Sequence, residues 1–359
     1  MTSLRSGAGL LRDKFIHPTK LNFGYGGAQG GLVGQANGYL FVQDYYVYAS
    51  LDGFSFRMIG DVGSSKIVDV AYGDGVYVFL TQYDIYTTGE PDANFNWPEF
   101  EYQSSPAPIT YRCVHFDGTA FIASGEMSSN PGYYARALPA DPGDWSWGYL
   151  ATVPDADGVT ITSIKSGDGK VVAVGQSVEI VGYDWLWSDL IQVSEDHGVN
   201  WTNITPPGTQ PIGQDSNGLT ELEYWEGRFV ALAPEPTVSS TTPVLPRFIQ
   251  AEDPSGTWES IADRFFSPLT IDREHNEGMS HRGALMNDNG NIVVLLNLYE
   301  CQIGRLGADG PDEFERVPFM KFGPDAHKML LFKGNYYLGV YEHSDEPAYV
   351  ITFNPHVQV

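Results

Sequence analysis

The residues best equipped for chemistry sit in one short stretch, Asp272-Arg273-Glu274-His275, followed by Glu277, His281 and Arg282. Carboxylates and imidazoles this close can ligate a divalent cation or pass protons. They also make an ordinary solvated loop held by its own ion pairs. In a chain with 45 acidic residues that plainer reading carries more weight. No Gly-x-Ser-x-Gly elbow, phosphate-binding glycine loop or His-Glu-x-x-His pair occurs. Asp155-Ala156-Asp157 offers oxygen ligands without an EF-hand pattern. The expectation is a chain with no catalytic set, no bound metal and no cofactor.

Recognition is the other chemistry on offer. Tyr183, Trp185 and Trp187 crowd into the segment from Gln176 to Leu190, with Asp184 and Asp189 beside them. Tyr133 and Tyr134 follow Asn130-Pro131-Gly132, and the segment from Pro234 to Arg247 is rich in Pro, Ser and Thr. Read as loops, the first two segments present aromatic surface for a sugar or a protein partner. The candidate binding surface is therefore Tyr133, Tyr134, Tyr183, Trp185, Trp187, Asp272, Glu274, His275 and His281. A competing reading has Trp185 and Trp187 cover sheet edges, one facing in and one facing out.

What must position these loops is a repeat. Seven glycine turns (Asn37-Gly38, Asp74-Gly75, Asp117-Gly118, Asp168-Gly169, Glu226-Gly227, Asn289-Gly290, Lys333-Gly334) each run straight into an apolar segment such as YLFVQ, VYVFLT or KVVAVG. Recurrence at intervals of about 40 to 60 residues points to a propeller or solenoid. The cleanest unit predicts four antiparallel strands at 66–72, 76–81, 83–88 and 97–102. The last unit has three clear strands, near 327–332, 336–341 and 348–353. The segment Arg12 to His17 is available as a fourth. We therefore expect an all-β fold: a seven-bladed β-propeller of four-stranded antiparallel blades, closed by an N-terminal strand. Residues 1–20 form the arm and closing strand, and residues 21–359 the single propeller domain. Six blades with an appended hairpin is the rival count. The best helix candidate, Pro211 to Gly218, is short.

The charge balance narrows the partners. With 20 basic against 45 acidic residues, the net charge is −25. Phosphate contacts require clustered Lys and Arg, so nucleic acid is not the expected partner. No segment is long and apolar enough to insert into a membrane. The N-terminus lacks an apolar core of signal-peptide length, so the expectation is synthesis in a cytoplasm. Cys113 and Cys301 both lie among apolar strand residues and read as buried free thiols.

One turn carries a recognisable pattern. Ser194, Asp196, Gly198 and Trp201 fit Ser-x-Asp-x-Gly-x-x-Trp, and Asp253, Gly256 and Trp258 repeat all of it except the serine. Ser50-Leu51-Asp52-Gly53 is a shortened version, while Asp144-Trp145-Ser146-Trp147 and Asp312-Glu313-Phe314 look like degraded copies. The chain thus resembles the Asp-box, or sialidase-like, β-propellers. The resemblance implies that Asp196 and Trp201 are structural, on the face away from any pocket. It also implies where a sialidase site would lie, and the chain departs from that pattern. Phe56-Arg57-Met58-Ile59 lacks the family's proline, and three arginines cannot be placed on inner strands. Degraded, non-catalytic propellers of this kind resemble bacteriophage virion proteins. The expectation is therefore a non-enzymatic virion component, in tail or capsid, that touches other virion proteins and a host-surface glycan. A sialidase-like glycoside hydrolase, or another glycan-active enzyme, is the alternative; a bacterial scaffold outside any particle is a third.

Overall fold

The structure is a computed structural model. It describes residues 31–43, 46–63, 66–104, 109–127, 129–206, 218–233, 247–260, 285, 291–295, 300–307, 310–318, 325–341 and 349–353. The glycine turns set its grammar. At Asn37-Gly38, Asp74-Gly75, Asp168-Gly169, Glu226-Gly227 and Lys333-Gly334 both residues have positive φ, from 47° to 85°. Two such residues in succession match the right-handed twist of antiparallel strands and return the chain in two residues. Asp117-Gly118 differs: among its pair only Gly118 is left-handed, and the Asp117 carboxylate instead accepts the amides of Thr119 and Ala120 at 2.8 Å.

The turns organise the strands in groups. The first sheet holds β1 to β4 (Gly31–Ala36, Tyr39–Gln43, Tyr46–Ser50, Arg57–Asp61), and the second β5 to β8 (Ile67–Gly73, Val76–Thr81, Asp84–Gly89, Glu101–Ser104). Next come β9 to β12 (Thr110–Phe116, Phe121–Met127, Tyr133–Leu138, Asp141–Tyr149) and β13 to β16 (Gly158–Gly167, Lys170–Val181, Asp184–Ser194, Thr202–Ile204). A further four-stranded sheet is β17 to β20 (Glu221–Trp225, Arg228–Ala233, Arg247–Ala251, Glu259–Ser260). Among the described residues, two three-stranded sheets end the chain. They are β21 to β23 (Asn291–Leu295, Glu300–Gly307, Gly310–Pro318) and β24 to β26 (Asp325–Phe332, Asn335–Tyr341, Tyr349–Phe353). Pairing within every group is antiparallel, in chain order. The groups β9–β12 and β13–β16 are joined into one sheet, because Glu126 and Met127 of β10 pair with Thr160 and Val159 of β13. Among the described residues no sheet closes on itself.

Second strands are apolar almost without interruption because each is covered on both faces. Leu40, Phe41 and Val42, Tyr77 to Leu80, and Phe229 to Ala233 are all inaccessible to solvent. Their partners come from neighbouring sheets. Phe41 packs on Phe79 (ring centroids 5.2 Å apart) and on Tyr77 (5.8 Å), with Val33 and Val70 in the same cluster. First strands lie side by side in order, β1 by β5, β5 by β9, β9 by β13 and β13 by β17. β1 also meets β24, β25 and β26, and Leu32, Leu40 and Val42 share a core with Phe332 and Tyr337. The last described sheet therefore packs against the first.

Several expectations change. The fourth strand of the second sheet is Glu101–Ser104 rather than 97–102; Trp97 turns inward against Tyr39 (5.4 Å) and Tyr77 (4.9 Å). The stretch around Asp144 to Trp147 is no turn: it runs inside β12, as Asp312 to Phe314 runs inside β23. The segment Gln176 to Leu190 is a hairpin rather than a loop. Residues Arg12 to His17, Pro211 to Ser216 and most of Pro234 to Arg247 lie outside the described residues.

Candidate functional site

Three features could do chemistry. The first is the β14–β15 hairpin, which pairs without a break from Val171↔Ser194 to Val181↔Asp184. Gly182, with φ 69°, takes the first of the two loop positions, where this turn class requires glycine. Beyond Gln176 the strands outgrow the covered sheet and become accessible. Tyr183 is fully exposed and Trp185 51% exposed, with Ile180 and Val181 similarly open. Trp185 and Trp187, two residues apart on a strand, share one face with ring centroids 6.0 Å apart. The in-and-out reading of these two tryptophans is thus corrected. Val178 and Ile180, their cross-strand partners, complete an apolar face.

The second feature is a cavity of about 200 Å³ at the foot of this hairpin. Its walls are the hairpin's other face, the segment Val153 to Ala156, and the segment Asn203 to Pro206. These walls are fixed. Asn130 donates from Nδ2 to the carbonyls of Val153 (2.6 Å) and Ala156 (2.8 Å) and accepts the Val153 amide on Oδ1 (3.0 Å). Asp157 takes the Ile180 amide on its carboxylate at 2.6 Å, and its own amide donates to Val178 at 2.7 Å. Gln192, wholly buried, exchanges hydrogen bonds with Ala151 and donates to Asn203 Oδ1 at 3.2 Å.

The third feature joins the first strands. Lys165 of β13 reaches Glu223 of β17 at 2.8 Å, with Glu221 and Asp69 close enough to act on it. Burial alone would depress the Lys165 ammonium; Glu223 outweighs it and holds the pKa above the ordinary lysine value. Asp69 accepts the Val114 amide at 3.0 Å. His115 of β9 shares a 2.8 Å hydrogen bond with Ser166, and burial, helped by Lys165, pushes its pKa down to about 3. Cys113, two residues before it, is a buried free thiol, and burial raises its pKa. This convergence escapes sequence reasoning. Its only trace is a polar residue interrupting each first strand a few positions before the glycine turn.

The predicted site residues are distributed unevenly. Asp272, Glu274, His275 and His281 lie outside the described residues. Tyr134 does not belong to a surface: it is buried, its hydroxyl donates to the Val199 carbonyl at 2.8 Å, and its ring lies 5.9 Å from Trp201. Tyr133 instead packs with Trp147 (5.5 Å) and Tyr149 (5.0 Å), both about half exposed.

The Ser194 turn is fully bonded. Asp196 Oδ1 accepts the Ser194 hydroxyl (2.9 Å) and the amides of Val199 (3.2 Å) and Asn200 (2.8 Å); Oδ2 takes the Asn200 side chain at 2.6 Å. Ser194 Oγ accepts the Gly198 amide, and Trp201 Nε1 donates to the Gly198 carbonyl. Burial pushes the Asp196 carboxyl up, but these donors, led by the Asn200 amide, keep it below its usual range. Ser50 and Asp52 repeat the core of this arrangement. Asp253 accepts Lys170 at 2.7 Å and the Ser255 amide at 3.0 Å, while Gly256 donates to the Asp253 carbonyl and Trp258 to that of Pro254. A further turn is built the same way: Asp92 accepts the amides of Asn94 and Asn96 and the Asn96 side chain at 2.8 to 2.9 Å. Its signal was the spacing Asp-x-x-x-Asn-Trp, common to Asp92 and Asp196.

No family model matches this chain, and no curated protein matches it in sequence. Solved structures do match in shape. The WD40 domain of Neurospora crassa Pan2 is 11% identical with a TM-score of 0.55, covering 92% of this chain and 90% of that one. The AfRom2 CNH domain (7% identical, TM-score 0.51) covers 94% and 98%, and the Dos1 propeller (10%, TM-score 0.50) covers 88% and 75%. Identities this low carry architecture alone: the chain is similar to β-propellers and is built as an all-β array of antiparallel strand groups, most of them four-stranded.

Proposed function

We propose that the chain is a seven-bladed propeller, closed by a strand from its first 20 residues, that works by contact rather than turnover. Ser194, Asp196, Gly198 and Trp201, with Asp253, Gly256 and Trp258, act in this reading as Asp-box turns that stiffen the outer ends of blades. The observation that carries the contact reading is the hairpin. A rigid, continuously paired ribbon holds Tyr183 and Trp185 in solvent, where they contribute nothing to the core. Exposed aromatics on an ordered support cost little entropy to engage, which suits a recognition surface. The setting we propose is a bacteriophage particle, in tail or capsid, with other virion proteins as partners. Mass spectrometry of purified particles tests the setting, and repeated absence of the polypeptide removes it. Assembly onto particles of the Tyr183→Ala/Trp185→Ala chain tests the surface. At least a tenfold loss of incorporation is expected, and incorporation at the original level refutes the assignment.

A second reading, a glycan-active enzyme, draws on the convergence of Lys165, Glu223, Glu221 and Asp69. It requires turnover of a glycan that Glu223→Gln abolishes without unfolding the chain. No turnover across a broad glycan panel removes it.

A further inference from the structure

We infer that the cavity at the foot of the β14–β15 hairpin is a binding site for one ring of a neutral, hydroxyl-rich saccharide. The inference rests on the contact reading and deepens it. Size sets the first limit. About 200 Å³ is below the ~300–1,000 Å³ of pockets for drug-sized ligands, so one ring enters at a time. Charge sets the second. Asp155 and Glu179 line it with their carboxylates, and among the described residues no Lys, Arg or His does. An anionic sugar or a phosphate would meet like charge on these walls, which opposes its binding.

The neutral groups decide between a cation and a polyol. Ser177 and Ser188 face each other across the hairpin, and Thr205 and Asn203 stand on another wall. Asn203 is already oriented: its Oδ1 is taken by the buried Gln192, which leaves its NH2 as a donor. Carboxylates and hydroxyls accept from vicinal OH groups, and the amide donates back. Pro154, Leu186 and Pro206 add apolar surface for the C–H side of a sugar ring. A bare diamine would use the carboxylates and leave the rest idle. The walls are held by Asn130, Asp157 and Gln192 before any ligand arrives, so binding bears little reorganisation.

The hairpin separates this site from the aromatic one. Ser177, Glu179, Leu186 and Ser188 lie on one face, while Val178, Ile180, Trp185 and Trp187 lie on the other. The test is titration of the full chain, by saturation-transfer NMR and calorimetry, with maltose, cellobiose and lactose as neutral probes. 3′-Sialyllactose and putrescine serve as charged ones. Saturable binding of a neutral disaccharide is expected. Glu179→Gln should weaken it at least tenfold with melting temperature unchanged, Asn203→Ala should weaken it at least as much, and Trp185→Ala should leave it intact. Preference for sialyllactose or putrescine, neutral binding undiminished in both cavity variants, or no binding of any probe would overturn the inference. Each of these outcomes leaves the effect of Tyr183→Ala/Trp185→Ala on assembly standing, so failure of the cavity and failure of the contact reading are told apart.

Discussion

Replacement of His115 by Gln should remove a measurable part of the chain's acid sensitivity. The imidazole sits between β5 and β13, bonded to Ser166 at 2.8 Å, and burial beside Lys165 holds its pKa at about 3. In the unfolded chain the ring titrates near its ordinary value of about 6.5. Between these values the unfolded state binds a proton that the native state refuses, so stability falls as pH falls through that window. From pH 7 to pH 5 the linkage amounts to about 2 kcal/mol. The unfolded pKa sets that figure, since a native ring titrating anywhere below about 4 is still neutral at pH 5. Glutamine keeps a hydrogen-bonding group for Ser166 and has no proton to gain. Urea unfolding of both proteins at pH 7 and pH 5 reads the effect directly. The native chain should lose about 2 kcal/mol more than His115→Gln over that interval. Equal losses in the two proteins would show that the ring protonates freely in the folded chain, and the crowding argument would fail.

Other outcomes follow from single contacts. Asp196→Ala removes an acceptor of four hydrogen bonds, at about 0.5–1.5 kcal/mol each. With roughly 0.75 kcal/mol/K of unfolding entropy for a chain this long, the melting temperature should drop about 3–8 °C; a shift below 1 °C would contradict the bonded-turn account. Asp92→Ala should lower it in the same direction, since its turn is built alike. Gly53→Ala should cost about 3 kcal/mol or more and Gly75→Ala only about 1. Both have positive φ, but a Cβ at Gly53 would run into the Tyr337 hydroxyl of the last sheet, whereas Gly75 has open space. Equal costs in denaturant unfolding would mean that the first and last sheets do not meet. Lys165→Met leaves Glu223, Glu221 and Asp69 without their cation and should cost about 2 kcal/mol at pH 7, less than a fully buried pair because both partners keep some solvent. Because the native lysine pKa is raised, its contribution is complete at neutral pH and fades as pH climbs past about 10.5; a loss at acid pH instead would reverse the assignment.

The turns were legible because they impose a backbone that few residues adopt. Asp74-Gly75 and Lys333-Gly334 declare a two-residue hairpin, and the apolar run after each declares a strand covered on both faces. The cavity-forming hairpin was not read as one, although Val178, Ile180, Trp185 and Trp187 alternate as strand residues do. Clustered aromatics resemble a loop in sequence, and a lone Gly182 is a weaker turn signal than the paired turns elsewhere. Asp69, His115, Lys165 and Glu223 were hidden for a different reason. A polar residue at alternate positions looks like an ordinary solvent face, and only the side-by-side placement of first strands turns four such faces toward one another. Tyr133 and Tyr134 look alike in sequence, but adjacent residues of a strand point opposite ways, so Tyr133 stays partly accessible while Tyr134 is buried.

The two ladder pairs that tie β10 to β13 set those eight strands apart from the other units. Elsewhere neighbouring groups meet through side chains and isolated main-chain bonds, such as Tyr111 N–H to the Gln82 carbonyl and Leu219 N–H to the Gly175 carbonyl, rather than through a ladder. Here a ladder crosses the seam, so a fluctuation that frees one half strips partners from the other. In hydrogen–deuterium exchange residues 110–204 should therefore behave as a single cooperative block, outlasting the flanking sheets, and the aromatic ribbon would be mounted on the stiffest sector of the chain.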